Sequence, residues 1–221
     1  MKRNALRRAA TTAPLLLAFA AAAFAAPPTA QELKEWCADS EDVAHCARLV
    51  EARQLKRLPA LATRDGPNLK IALFPSGTTT FADVEDLHGG KSYSLWESLD
   101  PINAVVLLTT EGDTTTFTLL QRGNGRRVVL PADPVLAPDR QRLATADVCP
   151  QNCTNEVATW RVTRDGVFKE LAWTPPAAWS DVTVTWADAR TLLLAYTSDG
   201  AAKTAERALA AEGWRRSTTG P

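Results

Sequence analysis

Two hydrophobic periods divide the chain. From Thr29 to about Leu58 apolar positions recur at helical spacing, and from Asn68 onward they alternate with polar ones. Thr29 followed by Glu32 forms a capping box that predicts a helix start, with Leu33, Trp36 and Cys37 on one face. Asp39 or Ser40 is placed to start a second helix whose apolar face carries Val43, Cys46, Ala47 and Val50. Glu41 and Asp42 stand early in that helix, and Arg53, Lys56 and Arg57 late, an order that complements the helix dipole; Pro59 ends it.

The β pattern begins with Leu69, Ile71 and Leu73 alternating with Lys70, Ala72 and Phe74. Pro75-Ser76-Gly77 turns the chain into Thr78–Val84. Ser92–Trp96 is a short strand, Ala104–Thr110 a more buried one, and Glu111-Gly112-Asp113 turns it into Thr114–Leu120. Arg122-Gly123-Asn124-Gly125 is the strongest hairpin signal, because Asn and Gly accept positive φ. Arg127–Leu130, Leu143–Val148, Val157–Val162, Val167–Trp173, the alternating Val182, Val184 and Trp186, and Thr191–Thr197 continue the series, and Ser198-Asp199-Gly200 closes it with a turn. The tail admits two readings: a helix over Ala201–Ala211 by propensity, or a closing strand over Ala208–Arg215.

Composition adds a compartment. Lys2, Arg3, Arg7 and Arg8 precede an apolar run from Pro14 to Ala26, and Ala23-Phe24-Ala25 fits a cleavage site, so residues 1–25 read as a signal peptide. The apolar run is shorter than the ~20 residues of a membrane span. Removing a leader with four basic and no acidic residues leaves 21 basic against 25 acidic residues, a net charge of −4. That charge gives no electrostatic reason to bind nucleic acid. The expected organisation is therefore a leader (1–25), a helical segment (26–62) and one β domain (63–221) of a periplasmic or secreted protein that is not an integral membrane protein. Abundant Ala, Arg and Pro with a single Met point to a bacterial source.

Four cysteines in an exported chain imply two disulfides. Pairing by proximity joins Cys37 to Cys46 and Cys149 to Cys153. Nine residues of straight helix would hold Cys37 and Cys46 roughly 13 Å apart, beyond the ~7 Å a disulfide spans. The helix must therefore break between them. The alternative for Cys149-Pro150-Gln151-Asn152-Cys153 is a redox or metal site, but the spacing is not that of a two-residue redox motif and no second pair completes a zinc set.

The β region repeats itself. The hairpin around Gly123, the Pro131–Pro138 link and the strand at Leu143 have counterparts in the hairpin around Gly166, the Pro175-Pro176 link and the strand at Leu192. The offset of roughly 40–50 residues suits a propeller blade of four strands. Leu136-Ala137-Pro138-Asp139-Arg140-Gln141-Arg142-Leu143-Ala144 resembles the W-S-P-D-G-x-R-L-A core of the short propeller repeats of periplasmic Tol-system proteins. Trp186-Ala187-Asp188-Ala189-Arg190-Thr191-Leu192 resembles a second copy without the Pro. The overall layout also resembles uncharacterised secreted proteobacterial proteins, which implies no activity. In such repeats the aromatic and the later Leu pack between blades. Arg140 and Ala189 stand where the repeat has Gly and positive φ is wanted. The fold class expected is mainly β, built of propeller-like antiparallel hairpins with an N-terminal helical segment; a β-sandwich or partly open barrel is the alternative.

Candidate chemistry is sparse. His45 lies on the second helix and His88 in a Gly-rich loop, with no nucleophile elbow to serve. Glu85-Asp86, Glu97, Asp100, Glu111 and Asp113 are scattered acids, two of which could act as a glycosidase pair if brought together. Asp139 and Asp188 read as turn caps, and Asp165-Gly166 and Asp199-Gly200 lack the ligand spacing of a calcium loop. No catalytic residue, metal ligand or cofactor is expected. Aromatics near strand ends offer the binding hint: Trp173 and Trp179 near Pro175-Pro176, and Tyr93 and Trp96 beside a loop. The expected function is a non-catalytic binding or scaffolding protein of the bacterial envelope, with an envelope protein or glycan as partner. The alternatives are an envelope hydrolase using loop carboxylates and an exported enzyme inhibitor.

Overall fold

The computed structural model describes residues 28–86, 90–149 and 153–217. The expected leader, His88 and the middle of the Cys149–Cys153 loop lie outside the described residues. Helix α1 (Ala30–Trp36) opens on the capping box: Glu32 N–H donates to Thr29 Oγ1 at 3.2 Å and Thr29 N–H to Glu32 Oε2 at 2.7 Å. Helix α2 (Val43–Arg57) is capped by Asp42, which accepts from His45 N–H at 2.7 Å. Asp42, rather than Asp39 or Ser40, is the cap. The turn between the helices lets Cys37 and Cys46 bridge with Cα atoms 4.9 Å apart. Cys149 and Cys153 bridge likewise at 5.6 Å, so both expected pairings hold. They fit the oxidising compartments in which disulfides persist.

Four antiparallel sheets follow, each a meander of consecutive strands. The first contains β1 (Ala62–Asp65), β2 (Asn68–Ala72) and β3 (Thr78–Ala82). The second contains β4 (Lys91–Leu99), β5 (Ala104–Glu111), β6 (Thr114–Gln121) and β7 (Arg127–Leu130). The third contains β8 (Val135–Leu136), β9 (Arg142–Asp147), β10 (Glu156–Val162) and β11 (Val167–Trp173). The fourth contains β12 (Ser180–Asp188), β13 (Thr191–Ser198) and β14 (Ala201–Ala208). A last strand, β15 (Arg215–Arg216), returns to pair with β11 in the third sheet. The sheets close no barrel, and among the described residues no helix is long and apolar enough to cross a membrane.

Alternation along the inner strands stacks the sheets in series. Leu69, Ile71 and Phe81 of the first sheet pack against Leu95, Val105, Leu107 and Leu120 of the second. The second sheet's other face (Val106, Leu108, Phe117, Leu119) meets Leu143, Ala158 and Trp160 of the third. Ala144 and Val157, on the opposite face of the third, meet Val182, Val184, Leu192 and Leu194 of the fourth. Among the described residues no core joins the first sheet to the fourth.

Helix α2 is the fifth partner. Ala47 and Val50 enter the core between the second and third sheets, and Leu55 and Leu58 the core between the first and second. On its buried side Glu51 and Gln54 face the outer edge of β4. Leu95 N–H donates to Glu51 Oε2 at 2.9 Å, and Gln54 Nε2 donates to the Trp96 carbonyl at 2.9 Å. Tyr93 N–H donates to Asp83 Oδ1 at 2.9 Å, and its carbonyl accepts from both Arg48 and Arg64. Those two arginines also bind Glu51 and Asp83.

The two repeat-like segments occupy equivalent places, the first hairpins of the third and fourth sheets. Asp139 Oδ1 accepts from Gln141 N–H at 2.9 Å, and Asp188 Oδ1 from Arg190 N–H at 2.6 Å, so both are turn caps. Trp186 Nε1 donates to the Val135 carbonyl at 2.9 Å, tying the fourth sheet to the third. Arg140 takes φ 61°, the left-handed conformation, and Ala189 does not. The tail is the strand β14, paired with β13 over eight positions. Asp199 and Gly200 adopt φ 55° and 74°, the two-residue hairpin geometry that sends the chain straight back. Helix propensity in the tail is overridden by the open edge of β13.

Arg140→Gly relieves a left-handed non-glycine residue whose side chain is exposed. It is expected to stabilise the protein by roughly 0.5–1 kcal/mol, net of the extra freedom of the unfolded chain. A raised urea midpoint at constant m-value measures this, and an unchanged midpoint contradicts it. Glu51→Ala leaves the buried Leu95 N–H without its acceptor and two guanidinium groups sharing Asp83 as their one carboxylate, and should cost about 3 kcal/mol or more in the same titration.

Candidate functional site

The first and second sheets differ in strand length. β2 and β3 have five residues each, whereas β4, β5 and β6 have eight or nine. The first sheet therefore covers only one end of the face it packs on. At the covered end Leu95, Val105, Leu107 and Leu120 are dry. At the uncovered end the same face continues in two cross-strand rows, Tyr93–Thr109–Thr116 and Lys91–Glu111–Thr114. The result is an open groove of about 380 Å³ between the two sheets, bounded by Phe81, Arg127 and Val129 and floored by Tyr93, Thr109, Thr116 and Thr118.

Tyr93 is half-buried, its ring 5.2 Å from that of Phe81. Thr109 and Thr118 share a hydrogen bond at 3.0 Å. Lys91 Nζ reaches Glu111 Oε2 at 2.6 Å, and this pairing holds its ammonium above the usual lysine range. The Arg127 guanidinium lies 3.9 Å over the Phe81 ring and donates to Thr79 Oγ1 at 2.7 Å. Among the described residues no carboxylate pairs with it.

Trp96, grouped with Tyr93 on sequence grounds, faces the other way. A bulge between Leu95 and Glu97 shifts the register of β4 against β5. Trp96 is buried between the second and third sheets, edge-on to Phe117, rather than available to a partner. Its indole N–H donates to Asp133 Oδ2 at 3.0 Å. Glu97, opposite Val106, shares that face and is buried as well. Burial, and secondarily the Asp133 charge, pushes the Glu97 carboxyl up to about 8. Asp133, on the link between β7 and β8, is pushed up to about 6 by the surrounding protein, against the opposing pull of the Trp96 hydrogen bond. Asp133 is solvent-exposed, whereas Glu97 is buried.

Trp173 and Trp179 do come together. Their rings are 5.7 Å apart edge to face, Trp179 stacks on Tyr196 at 3.5 Å, and Trp214 lies 6.3 Å from Trp173. Arg207 sits 4.0 Å over Trp173 and 5.0 Å from Trp214. All four rings are half-buried and pack against the core between the third and fourth sheets. This cluster seals that core and holds the C-terminal segment before β15. His45 is exposed on α2. Among the described residues no three His, Cys, Asp or Glu side chains gather as a metal ion requires.

Of the residues singled out from sequence, Tyr93 and Glu111 reach the groove. Lys91, Thr109, Thr116, Thr118 and Arg127 were missed there, although Thr114, Thr116 and Thr118 stand at strand period on one face and carried a readable signal. Asp133 was missed because it meets Glu97 only through tertiary packing.

The Glu97 shift carries a pH dependence. The carboxyl titrates near 4.5 when exposed and near 8 when folded, so the native state binds the extra proton between those values. Its contribution to stability is complete below pH 4.5 and is lost as pH rises through 8. Glu97→Gln is expected to leave Tm within about 1 °C at pH 4.5 and to raise it by about 3 °C or more at pH 8.5. Equal shifts at both values would contradict the assignment. Comparison with protein-family models and with curated proteins gives no match for the chain.

Proposed function

We propose that the chain is an exported, non-catalytic binding or scaffolding protein of the bacterial envelope that takes its partner in the groove between the first two sheets. The observation that carries this reading is the groove itself: a half-buried tyrosine, exposed hydroxyls and two cations on a rigid sheet face. Its size falls within the ~300–1,000 Å³ of small-ligand sites. The likeness of Leu136–Ala144 and Trp186–Leu192 to Tol-system propeller repeats supports it. So do the leader pattern and the two disulfides, which fit a periplasmic or secreted chain.

A second reading, an envelope hydrolase, draws on one observation. Glu97 and Asp133 are neighbouring carboxyls with pKa values raised to different extents, the condition for an acid and base pair.

Immobilised mature protein (residues 26–221), incubated with solubilised envelope protein and with glycan fractions, separates the two. Binding predicts retention of one fraction by the wild type and by Glu97→Gln, with at least about tenfold loss in Tyr93→Ala. Turnover of an envelope glycan or peptide that Glu97→Gln abolishes, without Tyr93-dependent retention, overturns the binding reading. Circular dichroism of each variant checks the fold.

A further inference from the structure

We propose that the groove between the first two sheets is a saccharide site, and that its ligand carries a carboxylate placed against Arg127. The inference rests on the binding reading above and names the ligand class of that site.

The lining chooses the chemistry. Among the described lining residues, Val129 is the one apolar side chain besides the Tyr93 and Phe81 rings. The remainder is four threonines and three charged residues. Thr114, Thr116 and Thr118 alternate along β6 at strand period, so their side chains recur at roughly 6.8 Å along one face. Thr109 and Thr118 satisfy each other, and the exposed Thr114 and half-buried Thr116 keep their hydroxyls for a ligand. A floor of hydroxyls around one tyrosine matches a polyhydroxylated ring, whose apolar face stacks on the aromatic while its own hydroxyls exchange hydrogen bonds. An apolar peptide side chain would leave those hydroxyls without partners.

Charge then selects among saccharides. Lys91 is already neutralised by Glu111. Arg127 is not: of its guanidinium donors one reaches Thr79, and its guanidinium carbon lies 3.9 Å over the Phe81 ring. A guanidinium anchored at a groove wall by a ring and a hydroxyl keeps donors for two parallel hydrogen bonds to a planar carboxylate, with less left to order on binding. On a mature chain of net charge −4, this is a local positive site.

The test is a glycan array probed with fluorescently labelled mature protein. The array carries uronic-acid, muramic-acid and sialic-acid glycans beside neutral glucose, galactose and N-acetylglucosamine glycans. The expected signal falls on acidic glycans. Arg127→Gln should reduce it at least about tenfold, the worth of one charge-assisted contact, while Arg127→Lys retains part of it and Thr116→Val weakens it. Arg127 and Thr116 lie at the surface or half-buried, so these variants leave the core intact, and thermal melts confirm it. Absence of any acidic-glycan signal, equal signal on neutral glycans, or full binding by Arg127→Gln overturns the proposal. A blank array together with Tyr93-dependent capture of an envelope protein refutes the saccharide and leaves the binding reading standing. A blank array with no capture refutes both.

Discussion

The outer edge of β4 is the constraint on which the rest depends. β4 is the first strand of the second sheet and lies between two cores, so its outward N–H and C=O groups cannot be left to water. From Lys91 to Trp96 partners line this edge in turn. Lys91 pairs through its backbone with Val84, Tyr93 binds Asp83, Arg48 and Arg64, Leu95 binds Glu51, and Trp96 binds Gln54. Side chains of α2 and of the first sheet thus stand where a neighbouring strand would be. The charges involved neutralise one another, which is the condition under which buried ions do not cost the fold more than they return. The Cys37–Cys46 bridge holds α1 against the helix that makes these contacts.

Placing α2 along that edge has a consequence for the groove. The helix and the first sheet together cover one end of the second sheet, and the five-residue strands of the first sheet end before the eight- and nine-residue strands beneath them do. The uncovered end keeps the rigidity of a four-stranded sheet with none of the shielding. Tyr93, Thr116 and Arg127 are consequently displayed on strands rather than on loops. Strand alternation turns Tyr93 to the groove and Trp96 into the core, and the bulge between Leu95 and Glu97 brings Glu97 onto the Trp96 side as well.

Much of the fold could be read locally. The Thr29 capping box, the hairpins at Gly112 and Gly125, and the Asp139 and Asp188 turns each depend on a few adjacent residues and appear where expected. Both cysteine pairs are close in sequence and bridge within their own loops. The short strands β1 and β15 were not legible, since two to four residues carry no period. For the site, Tyr93 was legible as an aromatic near a strand end and Trp96 looked the same. Arg127, forty-six positions from Phe81, gave no sign that the two would stack.

What the sequence by itself determined is the alternation, the turns, the helix caps and the disulfide loops, because these are set by backbone preferences and by contacts a few residues apart. Only the tertiary structure decided the tail, the direction of Trp96, the meeting of Glu97 with Asp133, and the existence of the groove. The tail reads as helix by propensity and becomes β14 because β13 offers eight residues of open edge. Trp96 and Tyr93, three positions apart on β4, take opposite faces by strand alternation, and only the packing of the third sheet makes the Trp96 face a core. The groove is a difference in length between two stacked sheets, a quantity that no single stretch of chain contains.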